Sequence, residues 1–277
     1  MIAEEYRVDG KVAIVTGAGQ GIGKAISLTL AEAGADITLI DLVTKHIEQT
    51  AEDIRKLGRK ALPITLDVSQ QDQVIGSVER TITEFGKIDI LVNNAGIFMF
   101  KSVTFIAGAR LPGREAAGDN WNKPQTLEDW HRVIDTNLTS AFLFAQAAGP
   151  HMMKQKKGKI VNISSTAAEQ GGSYKSAYCA SKAGLSAFTR CLASEWGPFN
   201  ININAIAPGM VNTDMTANRL KNTKARATIL GKIPLGRLAK PREIALLALF
   251  LTSEASDYLT GQIFTIDGGA AGQGPGI

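Results

Sequence analysis

KVAIVTGAGQGIGKAISLTLAEAG, residues 11–34, contains a strand, a turn and a helix in one unbroken run. Residues 11–17 form a short β-branched stretch closing on a glycine, the composition of a buried strand. Residues 23–34 repeat apolar side chains at helical spacing and stop at Gly34. Between them, glycines stand at 17, 19, 21 and 23. Glycine permits the positive φ of a tight turn and lets another group approach the backbone closely.

The alternation continues along the chain. Strands are expected at 36–41, 61–68, 88–96, 158–165, 203–209 and 262–267. Helices are expected at 44–57, 74–85, 127–152, 177–196 and 241–253. Short apolar strands separated by helices imply right-handed crossovers and a parallel sheet covered on both faces. The expected fold is α/β: one Rossmann domain over residues 1–277, with a doubly wound, seven-stranded parallel sheet and helices on both faces. Ligands of such sheets bind beyond the carboxyl ends of the strands, near the point where strand order reverses. The informative residues are therefore those just after strands.

Composition narrows the function classes. The chain is 44% hydrophobic and 20% charged, with a net charge of +4. Its basic clusters, at 154–159 and 221–226, are short and lack interleaved aromatics, so no nucleic-acid partner is expected. Cys179 and Cys191 fall twelve residues apart in one expected helix, a rise of about 18 Å. A disulfide needs Cα atoms within roughly 7 Å. No CxxC spacing suggests zinc, and no metal is expected. The first eleven residues hold no apolar signal core, and the longest apolar run, 244–251, is too short to cross a bilayer. The expectation is a reduced, cytoplasmic protein with no membrane partner.

The loop formed by Gly17, Gln20, Gly21, Ile22 and Gly23 opens the first helix. A helix N-terminus offers unpaired N–H groups and the positive end of the dipole, which suits a pyrophosphate. The spacing is not the strict G-x-G-x-x-G, and a glycine turn that binds nothing is the other reading. The second strand ends in Asp41, about 20 residues beyond the loop, where a carboxylate accepts from the adenosine ribose hydroxyls. It would repel a 2′-phosphate, so NAD is the expected cofactor. Gln20 and Leu42 stand where a basic residue could have paired with that phosphate; Lys45, close by, keeps NADP open. A helix-capping or loop acid is the alternative for Asp41.

These residues belong to a longer ordered series: TGAGQGIG at 16–23, DV at 67–68, NNAG at 93–96, Asn137, Ser165, YCASK at 178–182 and PGMVNT at 208–213. Over nearly its whole length the chain resembles a classical short-chain dehydrogenase/reductase. The resemblance implies an oxidoreductase acting on a small-molecule alcohol or ketone. It implies that Asp67 and Val68 meet the adenine, and that Asn94 lies along the cofactor, with Asn93 and Gly96 shaping the turn. Val211 and Thr213 would contact the nicotinamide carboxamide. Asn137, Ser165, Tyr178 and Lys182 match the family's catalytic tetrad, with Ser165 and Tyr178 facing the substrate and Tyr178 and Lys182 also facing the cofactor. By the same analogy Asn137 fixes a water that links Lys182 to solvent. Ser165 is a better match than Ser164, which alternates to the other face if the strand persists. The family commonly forms homotetramers.

The chemistry suits the residue types. Moving a hydride from a carbinol carbon requires a proton to leave its oxygen. A free tyrosine titrates near pH 10, too high for a base at neutrality. A lysine at i+4 shares its helix face. Lowering the phenol by about 3 units needs roughly 4 kcal/mol, which a desolvated cation and an oxidised nicotinamide could supply. Ser165 can hydrogen-bond the substrate oxygen. Two alternatives stay open: an NADPH-dependent ketoreductase of the 3-oxoacyl-carrier-protein reductase type, and a catalytically silent nucleotide-sensing protein.

Residues 97–126 exceed the expected family connection and read as an inserted loop near the active site. Lys101, Arg110, Arg114, Trp121 and Lys123 outweigh Glu115 and Asp119 there. A lid for an anionic or polyhydroxylated substrate is one reading; a surface excursion or oligomer contact is the other. Residues 210–238 are the expected substrate-binding segment, polar enough over 215–237 to be mobile.

Overall fold

The computed structural model describes residues 4–104, 124–220 and 223–271. Seven strands form one sheet: β1 (Val12–Thr16), β2 (Asp36–Asp41), β3 (Ala61–Thr65), β4 (Ile90–Asn93), β5 (Gly158–Ile163), β6 (Ile201–Pro208) and β7 (Ile263–Ile266). Ten α-helices accompany them among the described residues: α1 (Gly21–Glu32), α2 (Thr44–Lys56), α3 (Gln71–Phe85), α4 (Leu127–Ile134), α5 (Ser140–Gln155), α6 (Ala167–Gln170), α7 (Ser176–Trp196), α8 (Asp214–Leu220), α9 (Thr223–Leu230) and α10 (Pro241–Thr252). The strand order is β3-β2-β1-β4-β5-β6-β7, and every neighbouring pair is parallel.

Side-chain alternation explains the two-sided core. Ala13 and Val15 pack on one face with Ile37, Leu39, Ile90 and Val92, under α1, α2 and α10. Ile14, Ile40, Leu91 and Ile160 point the other way, toward α3, α5 and α7. Successive residues of a strand face opposite sides, so a strand buried on both faces must be apolar at every position. All five residues of β1 are buried. Pro63 is tolerated because β3 pairs only with β2 and stands at the sheet edge.

The strands next to the crevice are shorter than the sequence suggested, and their ends show why. β3 stops at Thr65 because Asp67 turns the chain: its Oδ1 accepts from Ser69 N at 2.9 Å and from Ser69 Oγ at 2.8 Å. β4 stops at Asn93 because the next two amides, of Asn94 and Ala95, donate to Thr16 Oγ1, each at 3.0 Å. The helix expected over 127–152 is two helices joined by a π-helical turn, Asp135–Thr139. Pro241 occupies the first turn of α10, where its missing N–H costs nothing. Short helices that the apolar spacing did not announce are α6, α8 and α9; the latter two lie in the polar stretch after β6.

Close approach of α1 to β1 requires Gly23. A Cβ there would collide with the Gly17 carbonyl oxygen and with the Asn94 side chain. We predict that Gly23→Ala lowers stability by about 1–3 kcal/mol through forced separation of α1 from the loop. Gly76→Ala in α3, where a Cβ meets nothing within 4 Å, should raise it by about 0.5–1 kcal/mol. Urea unfolding of the two variants beside the parent checks both signs.

Candidate active site

β1 and β4 are neighbours whose following helices go to opposite faces, so a crevice opens between their ends. Thr16 and Asn94 hold its floor. Beyond the two amides bound by Thr16 Oγ1, Asn94 Nδ2 donates to Thr16 O at 2.9 Å and to Gly17 O at 3.1 Å. Gly17 takes φ +63° and Gly21 φ +55°, conformations that side chains resist. A Cβ on Gly17 would stand 2.8 Å from Asn94 Nδ2. The glycines thus answer first to the loop's own packing.

Gln20 caps α1 with extended backbone and no side-chain hydrogen bond, whereas Thr126 and Asp129 close the N-terminus of α4 as a full capping box. An uncapped first turn beside a glycine loop is what an anionic ligand group requires. Gln20 is exposed, and Ile22 packs partly against the core cluster under α1. Asp41, half-buried, accepts from Gly19 N at 3.0 Å and from Val43 N at 3.2 Å. A carboxylate has about four acceptor sites, so capacity for two hydroxyls is left. A Cβ on Gly21 would meet the Thr213 methyl at 3.3 Å, which brings the segment after β6 over the loop. Val211 is buried in the core beneath, and its carbonyl accepts from Thr216 Oγ1. Val68 is likewise buried, so only its backbone could serve an adenine. These features fit a dinucleotide with its pyrophosphate at the α1 N-terminus.

The tetrad positions converge along α7 and the end of β4. Tyr178 and Lys182 lie one turn apart on α7. Lys182 is buried and donates to Ile163 O at 2.7 Å, and its Nζ stands 5.9 Å from the Tyr178 ring centroid. Burial pushes the Lys182 ammonium down to about 8. A Cβ on Gly96 would stand 3.3 Å from Asn137 Oδ1 and 3.4 Å from Lys182 Nζ, so the NNAG turn passes close against both. Ser165 follows β5, partners the Tyr178 phenol and accepts from Ala167 N at 3.1 Å at the start of α6. Ser164 turns away, with its hydroxyl bound to Lys182 O and Ser186 Oγ.

In the protein by itself the phenol of Tyr178 is raised above its ordinary value; the lowering expected from the sequence also draws on the charge of an oxidised nicotinamide. Burial of the ring causes the rise, and the Ser165 hydroxyl offsets only part of it. The Asn137 side chain is engaged with protein partners. Its Oδ1 accepts from Ile97 N at 2.7 Å, and its Nδ2 donates to Ile97 O and Ser181 Oγ, each at 3.0 Å. Both donors and the acceptor are thereby engaged in fixing the β4 loop to α7.

Sequence reasoning passed over several residues. Ser181 joins Asn137 to the Tyr178 carbonyl, to which it donates at 2.8 Å. Phe98 packs edge-on to the Tyr178 ring, with centroids 5.1 Å apart at 70°. The FMF run at 98–100 was visible, but it lay in a stretch read as irregular. Residues 97–104 and 124–126 form the stem of the expected insertion. Ser102 bridges Pro124, and Gln125 N donates to Ser102 O at 2.7 Å. Lys101, one of the cations considered for an anionic substrate, pairs with Asp129 and holds that carboxyl below its usual range. Arg110, Arg114, Glu115, Asp119, Trp121 and Lys123 lie outside the described residues. Both cysteines stand on α7 and are free thiols. Among the described residues, no three His, Cys, Asp or Glu gather to hold a metal, and no helix is long and apolar enough to cross a membrane.

Comparison with known proteins now bears on the site. A family model described as enoyl-(acyl carrier protein) reductase matches residues 17–271. A 3-oxoacyl-[acyl-carrier-protein] reductase of Thermotoga maritima is 40% identical over 95% of this chain and 98% of its own. A 2-dehydro-3-deoxy-D-gluconate 5-dehydrogenase of Escherichia coli K12 is 39% identical over 97% and 98%. A structure reported as an NAD(P)-dependent gluconate 5-dehydrogenase of Beutenbergia cavernae, with NADP at low occupancy, superposes with a TM-score of 0.84. It is 33% identical, over 97% of this chain and 100% of that one. With likeness spanning nearly every residue from the glycine loop to β7, the chain belongs to the short-chain dehydrogenase/reductase family and is a nicotinamide-dependent oxidoreductase.

Proposed function

We propose that the chain interconverts a secondary alcohol and a ketone with NAD(H), and that Tyr178 carries the proton. The observation behind this is the half-buried Tyr178 phenol, with Ser165 on its hydroxyl and Lys182 one turn along α7, at the end of a glycine-loop crevice. A bound nicotinamide supplies the carbon that takes or gives the hydride and, when oxidised, a positive charge. In oxidation, Tyr178 Oη takes the proton from the carbinol oxygen; in reduction it donates one to the carbonyl oxygen. Ser165 Oγ donates to that oxygen and holds it near the phenol. Asn137 acts by position, tying Ile97 to α7 through Ser181. The water link to Lys182 would then use backbone of the π-helical turn rather than the Asn137 amide.

Asp41 supports NAD. Its carboxylate borders Gly19, and a 2′-phosphate placed there would meet a like charge. One observation favours the NADPH-dependent ketoreductase reading: a Cβ on Gly19 would stand 2.7 Å from the Cβ of His46, so an imidazole borders the loop beside Asp41. The 3-oxoacyl-carrier-protein reductase among the relatives points the same way. The reading further includes a homotetramer, by family analogy, and a cytoplasmic setting, which two free thiols suit. Residues 97–126 remain the proposed insertion beside the active site, and 210–238, which carry α8 and α9, the substrate-binding segment.

Tyr178→Phe keeps the ring and removes the proton; turnover should fall by about 10²–10⁴-fold with the NADH dissociation constant little changed. Near-normal kcat in that variant refutes the assignment. Lys182 bears on stability as well. Its value in the fold, about 8, lies below its ordinary 10.5, so the unfolded chain binds more protons between those pH values. The cost, roughly 3 kcal/mol, is fully present below pH 8 and fades as pH rises toward 10.5. Lys182→Met should therefore melt a few degrees higher than the parent at pH 7, less so at pH 10, while losing turnover; scanning calorimetry at both pH values tests this. Titration with the two reduced dinucleotides decides the cofactor. We expect NADH to bind about tenfold or more tightly than NADPH, and Asp41→Asn to narrow the gap; tighter NADPH overturns the NAD reading.

A further inference from the structure

Four aromatic rings run from the proposed acid/base outward. Phe98 meets Tyr178 edge to face. Phe100 stacks on Phe98, with centroids 6.3 Å apart and planes at 30°, and Tyr174 follows at 5.5 Å from Phe100. The loop leaving β4 supplies Phe98 and Phe100, the loop entering α7 supplies Tyr174, and α7 itself supplies Tyr178. The row is anchored at both ends. Asn137 clamps both backbone polar groups of Ile97, the residue before Phe98. Lys101 N donates to Tyr174 O at 2.9 Å, and the Lys101 ammonium pairs with Asp129. Tyr174 is held at φ +65°, a conformation a bulky residue adopts only under constraint from its surroundings.

The β4 loop leaves the glycine loop at Asn94, passes Lys182 and Asn137 at Gly96, and reaches the Tyr178 ring at Phe98. Phe98 therefore stands against the Tyr178 ring, four residues along the β4 loop from the glycine-loop contact at Asn94. It remains 38% exposed, an apolar face beside the Tyr178 ring. Of the described cations closest in sequence to the row, Lys101 is engaged with Asp129, and Lys175 lies against Gly172, where an added Cβ would collide with it.

We propose that Phe98 determines specificity, its ring seating a flat cyclic or aryl group carried on the carbon next to the carbinol. The substrates are then ring-bearing secondary alcohols and ketones in preference to open-chain sugar acids. The inference rests on the alcohol–ketone reading and on Tyr178 as its acid/base. The test measures kcat/KM for an aryl or alicyclic ketone and for an open-chain keto acid, each with NADH and with NADPH, in the parent, Phe98→Ala and Phe98→Leu. The parent should prefer the ring ketone. Phe98→Ala should reduce that preference by about ten- to a hundred-fold, mainly through KM, and Phe98→Leu by less, since it keeps apolar volume without a ring. The NADH dissociation constant of each variant, a report on the glycine loop, establishes that it is folded. A parent that favours the keto acid, or a preference within about threefold of the parent's in both variants, overturns the proposal alone. A parent that turns over neither ketone with either dinucleotide overturns the alcohol–ketone reading, and this proposal with it.

Discussion

Four hydrogen bonds centred on Thr16 and Asn94 join the end of β1 to the end of β4. The proposed site is built out from that junction. The two strands are adjacent and parallel, yet their connections leave on opposite faces, so their last residues cannot continue a common ladder. Backbone amides at such a point need other partners, because unpaired buried groups are costly. Thr16 provides one hydroxyl oxygen for two amides, and Asn94 returns its own amide to two carbonyls. The crevice is thus a consequence of topology, and its floor is made rigid before any ligand arrives.

Helix α7 carries Tyr178 and Lys182, the proposed acid/base and its neighbour, and buried polar contacts set its position. Thr189 donates to Leu185 O at 2.8 Å, so its oxygen accepts from Asn162 Nδ2, at 2.9 Å. Asn162 then presents Oδ1 to Asn93 Nδ2, at 2.8 Å, across the paired ends of β4 and β5. Each direction in this chain follows from the one before. Ser164, bound to Lys182 O and Ser186 Oγ, adds a second tether between the sheet and the same helix. A helix fixed from within the core holds Tyr178 and Lys182 with little freedom, which lowers the entropy lost when reacting groups align.

The same burial works against the charges that the reaction needs. It raises the Tyr178 phenol and lowers the Lys182 ammonium, which nevertheless keeps its proton below about pH 8. The sequence suggested a phenol poised by a neighbouring cation because i and i+4 share a helix face. Adjacency is legible in the spacing; the desolvation that opposes it is not, since solvent exposure is a tertiary property. A positive charge arriving with an oxidised nicotinamide would add to that of Lys182 in stabilising a phenolate.

Residue order alone determined the seven strands, the two-faced core and the collinear series from Gly17 to Thr213. Those features depend on periodicity and on short-range backbone freedom, which a chain displays in its own spacing. Tertiary structure decided what the spacing could not. It ended β3 and β4 early, since their terminal residues bond to a turn and to a neighbouring strand. It inserted a π-helical turn at Asn137 and assigned that side chain to Ile97 and Ser181, 40 and 44 residues away. It set Phe98 against Tyr178, residues with no relation along the chain. Contacts of this kind exist only once the sheet brings distant loops to one edge, and their energies depend on burial that no local pattern records.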